Sequence, residues 1–302
     1  MDTLVISKSK FKKLERLKLA NYICNTESEI YILPDKDKWT KKDLLFKKLY
    51  VNNGDYFSNK LYTVNTLIDS KNDIGLEELV LPERLAILNG EVAGFAMEYI
   101  KGKNLQTILN SSTYTEKEKI EYLKEVGEII EKVRKVRRYK SKNNEVLKDF
   151  YLNDIHESNF ILNNNTGKLN VLDMDSAKIN NNKTFPAKYL RNEVLRDLVK
   201  YEVIDNNLGS IYEVNKETEL YCYNTMILNY LYGDNTSKFT LEEFYEYMEY
   251  LISIGVPQDI VFSFERLYTE KCNKNPMDAL DDLSLFVYRS NKYVYKLARK
   301  KK

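Results

Sequence analysis

Residues 151–179 hold a dense set of side chains that could do chemistry. Asp154 and Asn159 are five positions apart, Asp173 follows fourteen positions later, and the only histidine of the chain, His156, lies between the first two. A carboxylate can act as general base toward a hydroxyl group. An amide oxygen and a second carboxylate are ligands that Mg²⁺ accepts beside phosphates. Residues of these types could therefore supply a general base and oxygen ligands for a divalent cation.

Two apolar runs, 160–163 and 169–173, surround a polar turn at Gly167 and predict a short hairpin. The ends of a hairpin and its preceding loop lie close together, so they can bring such polar groups to one point. A simpler interpretation exists, in which Asp and Asn only cap turns. Which interpretation holds depends on the rest of the chain.

The N-terminal third predicts strands with one helix. Runs 30–33 and 43–51 are strand-like, and period-two alternation in the second places Lys47 on the face of Leu45, with Lys48 as the alternative. Residues 57–69 predict a helix with an apolar stripe. That stripe comprises Leu61, Val64, Leu67 and Ile68.

The hydrophobic period changes after residue 104. Before it, 85–88 and 92–100 predict a hairpin closed by Asn89-Gly90, a tight-turn dipeptide. Beyond it, 115–138 predicts a long amphipathic helix whose Thr115 and Glu118 form a capping box. From about residue 194 the pattern is helical, most clearly in 220–233, 241–255, 259–271 and 279–290.

Several stretches, in one order, resemble the protein-kinase-like superfamily. Asp154, Asn159 and Asp173 match H-R-D-x-x-x-x-N followed by D-F-G. FAMEYIKGKNL (95–105) is similar to the kinase hinge, and LLFK (44–47) to the V-A-I-K strand. Residues 218–233 resemble the kinase F-helix, with Glu219 at its usual aspartate, and 256–280 resemble the closing helices.

The resemblance implies an α+β, two-lobed protein-kinase-like fold. It places a β-rich N-lobe at 1–98, a hinge at 99–103 and a helical C-lobe at 104–302. Within the C-lobe, 151–162 would be the catalytic loop and 173–175 the metal motif.

The same resemblance assigns roles to residues, with ATP and Mg²⁺ as the implied ligands. Lys47 would contact the α- and β-phosphates, and the hinge backbone at Glu98, Tyr99 and Ile100 would bind adenine. Asp154 would be the base. Asn159 and Asp173 would hold Mg²⁺.

The chain departs from the kinase pattern in places. NTESEI (25–30) has no glycine where the glycine-rich loop should be. The helix glutamate that should pair with the strand lysine is missing, and Asn59, Asn65 and Asp69 are the polar candidates that remain open. D-F-G has become Asp173-Met174-Asp175, which predicts Asp175 as a ligand of a second metal.

His156 lies two positions after Asp154, as in the G-D-x-H-x-x-N loop of aminoglycoside and choline phosphotransferases, which this loop partly resembles. The histidine would contact the γ-phosphate or orient Asp154 by a hydrogen bond. Alternatively, it is a structural residue of the core whose ring nitrogens are hydrogen-bonded within the protein.

Composition narrows the possible partners. Lys and Arg number 47 against 45 Asp and Glu, a net charge of +2, so nucleic acid is not an expected partner. Three scattered cysteines show no metal spacing and suggest a reducing compartment. No apolar run is long enough to cross a bilayer. We therefore expect a cytoplasmic protein without membrane insertion.

The expected activity is an ATP-dependent kinase reaction, with a hydroxyl group of a protein (Ser/Thr) as the expected acceptor. The segment after Asp173 supports that acceptor, because it carries basic residues and no cluster of carboxylates; these are Lys178, Lys183, Lys188 and Arg191. Two alternatives stay open. A small-molecule kinase is favoured by His156, and a pseudokinase scaffold by the missing glycines and helix glutamate.

Overall fold

A computed structural model describes residues 3–17, 28–36, 41–50, 54–180, 182, 184, 189, 214–269 and 280 of the chain. The chain is mixed α+β, with a curled sheet in its N-terminal part and helices in its C-terminal part. It divides into two compact units. The first comprises Met1–Gly102, Val136–Phe150 and Ile161–Lys183, and the second comprises Lys103–Lys135, Tyr151–Phe160 and Thr184–Lys302.

The predicted boundaries and these units differ in one respect. The first segment of unit one ends at Gly102, inside the hinge that we predicted at 99–103. However, two segments of the predicted C-lobe, 136–150 and 161–183, group with the first unit. The Asp173 turn therefore folds with the sheet.

The first unit is built on a six-stranded sheet with the order β1-β5-β6-β4-β3-β2, in which only the β1–β5 pair is parallel. The strands of the described chain are β1 (Leu4–Ile6), β2 (Glu15–Arg16), β3 (Ser28–Ile32), β4 (Leu44–Leu49), β5 (Pro82–Leu88), β6 (Glu91–Glu98), β7 (Gly102–Asn104), β8 (Phe160–Asn163) and β9 (Leu169–Val171). The short strand β7 overlaps the end of the hinge that we predicted at 99–103.

Strand β4 has two different faces because successive side chains alternate. Leu44 and Phe46 enter one apolar cluster, whereas Leu45 and Leu49 enter another together with Val64. Val64 belongs to α2 (Gly54–Asp69), which packs its apolar stripe on this second face. The alternation therefore directs Lys47 toward α2.

The predicted hairpin is confirmed. β5 and β6 pair antiparallel, and the turn between them has φ of 58° at Asn89 and 90° at Gly90. Both values lie in the left-handed region that Asn and Gly tolerate best.

β9 is tied to the segment that precedes β5. The Val80 N–H donates to the Val171 carbonyl at 2.9 Å, and the Val171 N–H donates to the Glu78 carbonyl at 2.7 Å. β8 and β9 are neighbours, as the apolar runs predicted. This pairing fixes the end of β9, two residues before Asp173, against the first unit.

The remaining α-helices of the described residues are α1 (Lys8–Phe11), α3 (Lys71–Ile74), α4 (Leu105–Leu109), α5 (Glu116–Lys135), α6 (Lys216–Tyr232), α7 (Leu241–Ser253) and α8 (Gln258–Thr269). The predicted capping box of α5 is present, since Thr115 N–H donates to Glu118 Oε2 at 2.7 Å. α6 and α7 also begin with capping boxes, at Asn215 and Thr240. Most of the predicted helix at 279–290 lies outside the described residues.

None of the helices in the described part of the chain is both long and apolar enough to cross a membrane.

Gly94 of β6 permits the close approach of the strand that carries Lys47. A Cβ at this position would lie 2.0 Å from the Lys47 carbonyl oxygen, and its φ is +153°. We expect Gly94→Ala to displace β4 and to lower stability by about 2 kcal/mol, measured as a fall in melting temperature. Gly54→Ala is the matched control, because nothing lies within 4 Å of its added Cβ. Equal melting temperatures for the two variants would contradict this account of β4.

Candidate functional site

The first unit contains a buried cluster of opposite charges around Lys47. Its Nζ donates to Asp175 Oδ1 at 2.6 Å and to Asp173 Oδ1. Only 6% of the Lys47 side chain is exposed. Burial alone would lower the pKa of Lys47, but attraction to Asp173 and Asp175 outweighs it, and the pKa lies above its ordinary value. Lys47 is therefore a fixed ammonium. Lys48 points elsewhere and contacts Glu29 at 3.2 Å.

Both oxygens of Asp175 are engaged by ammonium groups. Oδ1 faces Lys47, Oδ2 accepts from Lys60 Nζ at 2.9 Å, and the side chain is 1% exposed. Burial would raise the pKa of Asp175, but Lys47 and Lys60 outweigh this effect and hold the pKa below its usual range. We predicted Asp175 as a second metal ligand. The structure instead surrounds it with cations, which repel a metal ion at the same oxygens.

Lys60 is the residue that the sequence interpretation missed. We looked on this helix for a partner of Lys47 among Asn59, Asn65 and Asp69, yet Lys60 is the α2 residue that shares a carboxylate with Lys47. A signal was present in the sequence. Lys60 precedes Val64 by four positions and Leu67 by seven, so it lies on the apolar stripe, where a lysine needs a buried partner.

Asp173 is the more accessible carboxylate of the cluster, with 33% of its side chain exposed. Its φ of 59° places it in the left-handed region, a conformation that costs about 1 kcal/mol or more for a residue with a side chain. It begins a 3₁₀ turn, Met174–Ser176, directly after β9. The turn aims one carboxylate at Lys47 while leaving part of it open to a ligand.

The predicted hinge residues also lie in the first unit. Glu98 ends β6 and forms an ion pair with Lys42, and Ile100 is buried in the cluster behind β4. The Tyr99 N–H donates to the Asp43 carbonyl at 2.8 Å. That N–H is committed within the protein, so it is not the donor that an adenine ring would use.

The predicted glycine-rich-loop position is described only in part. Residues 25–27 lie outside the described chain, whereas Ser28, Glu29 and Ile30 begin β3.

The second unit holds the other predicted residues together in one loop. Asp154 has a φ of 57°, again left-handed, and Asn159 Nδ2 donates to the Asp154 carbonyl at 2.9 Å. Since that bond commits the amino group, the Asn159 amide oxygen is the atom that a metal would use. The hydrogen bond between Asn159 and Asp154 thus closes the loop over residues 154–159.

His156 contacts the Asp154 carboxylate. Its Nδ1 accepts from the Ser158 N–H at 3.2 Å, so a neutral ring carries its proton on Nε2. Nε2 lies 3.4 Å from Asp154 Oδ2. Orientation of Asp154 is one of the two functional roles that we predicted for His156, and both roles stay predictions.

Two helices anchor the loop. Glu219 of α6 accepts from the Leu152 N–H at 2.7 Å and is fully buried. From the other side, Asn104 Nδ2, at the N-cap of α4, donates to the Ser158 carbonyl at 2.6 Å. These contacts hold the backbone on both sides of Asp154 and offset the strain of its left-handed conformation.

A pocket of about 620 Å³ also lies in the second unit, within the size range of small-molecule sites. Three carboxylates line it, Glu116, Glu157 and Asp234, against one ammonium, Lys119. Glu157 follows Asp154 by three positions, and Tyr189, which lines the pocket, donates to Glu157 and packs its ring on His156. The pocket is therefore acidic and continuous with the loop.

Comparison with other proteins gives no assignment: a scan of known family models and a search of curated proteins both found no match.

Among the described residues, no group of three or more His, Cys, Asp or Glu side chains is arranged to hold a metal ion. The structure brings Lys47, Asp173 and Asp175 together in one unit, and Asp154, His156 and Asn159 in the other.

The anchoring role of Glu219 can be measured. Glu219→Ala leaves the buried Leu152 N–H without its acceptor, which costs about 1–3 kcal/mol, and we expect a lower melting temperature. Glu219→Gln is the matched control, because its amide oxygen can still accept and the loss should be smaller. If Glu219→Ala and Glu219→Gln have the same melting temperature, the hydrogen bond does not anchor the loop.

Proposed function

We propose that this chain is an ATP-dependent phosphotransferase of the two-lobed protein-kinase-like fold. The observation that carries the proposal is the buried Lys47 of β4, paired with the partly open Asp173 that follows β9. A fixed ammonium beside an accessible carboxylate matches what a nucleotide polyphosphate with a divalent cation requires. The kinase resemblance assigned these two residues to the phosphates and the metal.

The first unit would bind the nucleotide. Lys47 holds its charge permanently, so it is suited to neutralise the α- and β-phosphates of ATP. Asp173 would supply a carboxylate oxygen to the metal that accompanies the phosphates. Asp173 would be a protein ligand of that Mg²⁺, which takes one or two protein oxygens, completes its shell with phosphate and water, and neutralises the charge on the transferred group.

The second unit would activate the acceptor. Asp154 would accept the proton of the attacking hydroxyl. His156 Nε2, 3.4 Å from Asp154 Oδ2, would orient the Asp154 carboxylate toward that hydroxyl. The oxygen of that hydroxyl forms the new bond to the γ-phosphorus as the bond to the β,γ-bridging oxygen breaks, and ADP leaves. Catalysis comes mainly from positioning and charge neutralisation.

The acceptor has two candidates. Three of the basic residues that led us to expect a Ser/Thr protein, Lys183, Lys188 and Arg191, lie outside the described residues. A second candidate is a small cationic or polyhydroxylated molecule. It is favoured by the acidic pocket that Glu157 helps to line. Its three carboxylates supply the acidic lining that a cationic acceptor needs.

Transfer of label from γ-labelled ATP tests the reaction. We expect label on a generic protein or on a small alcohol acceptor such as an amino sugar, choline or a nucleoside, and we expect Asp154→Ala to cut transfer by about 10²-fold or more. ATP affinity should stay nearly unchanged, because Asp154 is not assigned to phosphate or metal binding.

The outcomes separate the alternatives. Label on protein supports a protein kinase, and label on a small acceptor supports the pocket as the acceptor site. ATP binding without transfer to any acceptor would instead support the pseudokinase alternative. Equal transfer by wild type and Asp154→Ala would remove Asp154 from the mechanism.

A further inference from the structure

Lys60 poses a physical problem that its surroundings solve. It occupies the apolar stripe of α2, and 8% of its side chain is exposed. An ammonium buried there without a counter-charge would cost several kcal/mol. The carboxylate of Asp175 provides that counter-charge at 2.9 Å.

Asp175 in turn connects two elements. One oxygen holds Lys60 of α2 and the other holds Lys47 of β4, at 2.9 and 2.6 Å. The carboxylate therefore fixes the distance between the helix and the strand. It also restricts where the Lys47 ammonium can go.

We propose that Asp175 is the positioning residue of Lys47 and that Lys60 tethers it to α2, as a charge-reversed substitute for the helix glutamate that the chain lacks. The part of this inference that concerns ATP rests on the proposed function. Here the carboxylate comes from the turn after β9, and the helix contributes a cation.

The arrangement has a consequence for nucleotide binding. If a metal took Asp173 Oδ1, the oxygen that now accepts from Lys47, Lys47 would keep a carboxylate partner in Asp175. Once Asp173 is engaged elsewhere, Lys47, Lys60 and Asp175 sum to a charge of +1, which attracts a polyphosphate.

The test is calorimetric titration of the full-length protein with ATP at a series of MgCl₂ concentrations. Asp175→Asn should weaken ATP binding by about tenfold or more at every Mg²⁺ concentration, the usual effect of losing a supporting residue. The Mg²⁺ concentration at half-saturation should stay unchanged, because Asp175 is not a metal ligand.

Rescue by a second substitution makes the test specific. Adding Lys60→Glu to Asp175→Asn places a carboxylate on α2 that can pair with Lys47 directly, so ATP affinity should recover to within about threefold of wild type. A metal ligand lost at position 175 would not be restored from the helix. Lys71→Met, which removes an ammonium from the neighbouring α3, is the matched control and should leave ATP affinity unchanged.

Other results would contradict the inference. If Asp175→Asn raises the Mg²⁺ requirement but binds ATP normally at saturating Mg²⁺, Asp175 is a metal ligand and only this inference fails. If folded wild type binds no ATP, the proposed function fails and the inference falls with it. Should Asp175→Asn not fold, Lys60→Met replaces it, with a smaller loss of ATP affinity expected and an unchanged Mg²⁺ requirement; a normal ATP affinity in that variant would overturn the tether.

Discussion

The first unit depends on one buried carboxylate, Asp175, which two lysines share. Removing three charges from water costs several kcal/mol for each ion, so each must find a partner with good geometry. Lys47, Lys60 and Asp175 meet this condition from three separate elements: a strand, a helix and the turn after a hairpin. Their pairing therefore fixes where β4, α2 and the turn lie.

Stability alone does not explain why these charges are kept. Well-packed apolar residues in place of a buried ion pair are often equally or more stable. Asp173 also indicates a role beyond stability. It keeps a left-handed backbone, and a third of its side chain is exposed beside Lys47. A permanent ammonium next to an accessible carboxylate is more useful to a phosphate-binding protein than to a hydrophobic core.

The second unit applies the same logic to a loop. Asp154 is also left-handed, and the surrounding hydrogen bonds hold it there: Asn159 bonds its carbonyl, and Glu219 bonds the backbone two residues earlier. His156 Nε2 then lies 3.4 Å from the Asp154 carboxylate. Each unit thus presents one aspartate whose backbone is unfavourable locally and supported by its neighbours.

Local rules predicted much of the fold. Asn89-Gly90 gave the hairpin turn, Thr115 and Glu118 gave the start of α5, and period-two alternation chose Lys47 over Lys48 as the inward lysine. These features depend on neighbours within a few positions. These features could be predicted from the sequence because they depend on residues that are close together along the chain.

The cluster was harder to foresee because its partners are distant in sequence. Lys47 and Asp175 are 128 positions apart, and Lys60 and Asp175 are 115 apart. The kinase resemblance also implied an acidic partner for Lys47 on α2, whereas the chain has a lysine there. The lysine on its apolar stripe was visible, but its partner could be assigned only from the tertiary structure.

The most direct measurement of the central claim, that Lys47 and Asp173 form a nucleotide-phosphate site, is thermal unfolding with and without Mg-ATP. A ligand that binds only the folded state stabilises it, by about 2.7 kcal/mol at 100 times its Kd. The account predicts a higher melting temperature for wild type in millimolar Mg-ATP, with most of the Mg²⁺-dependent part lost in Asp173→Asn. An unchanged melting temperature for wild type under these conditions would contradict it.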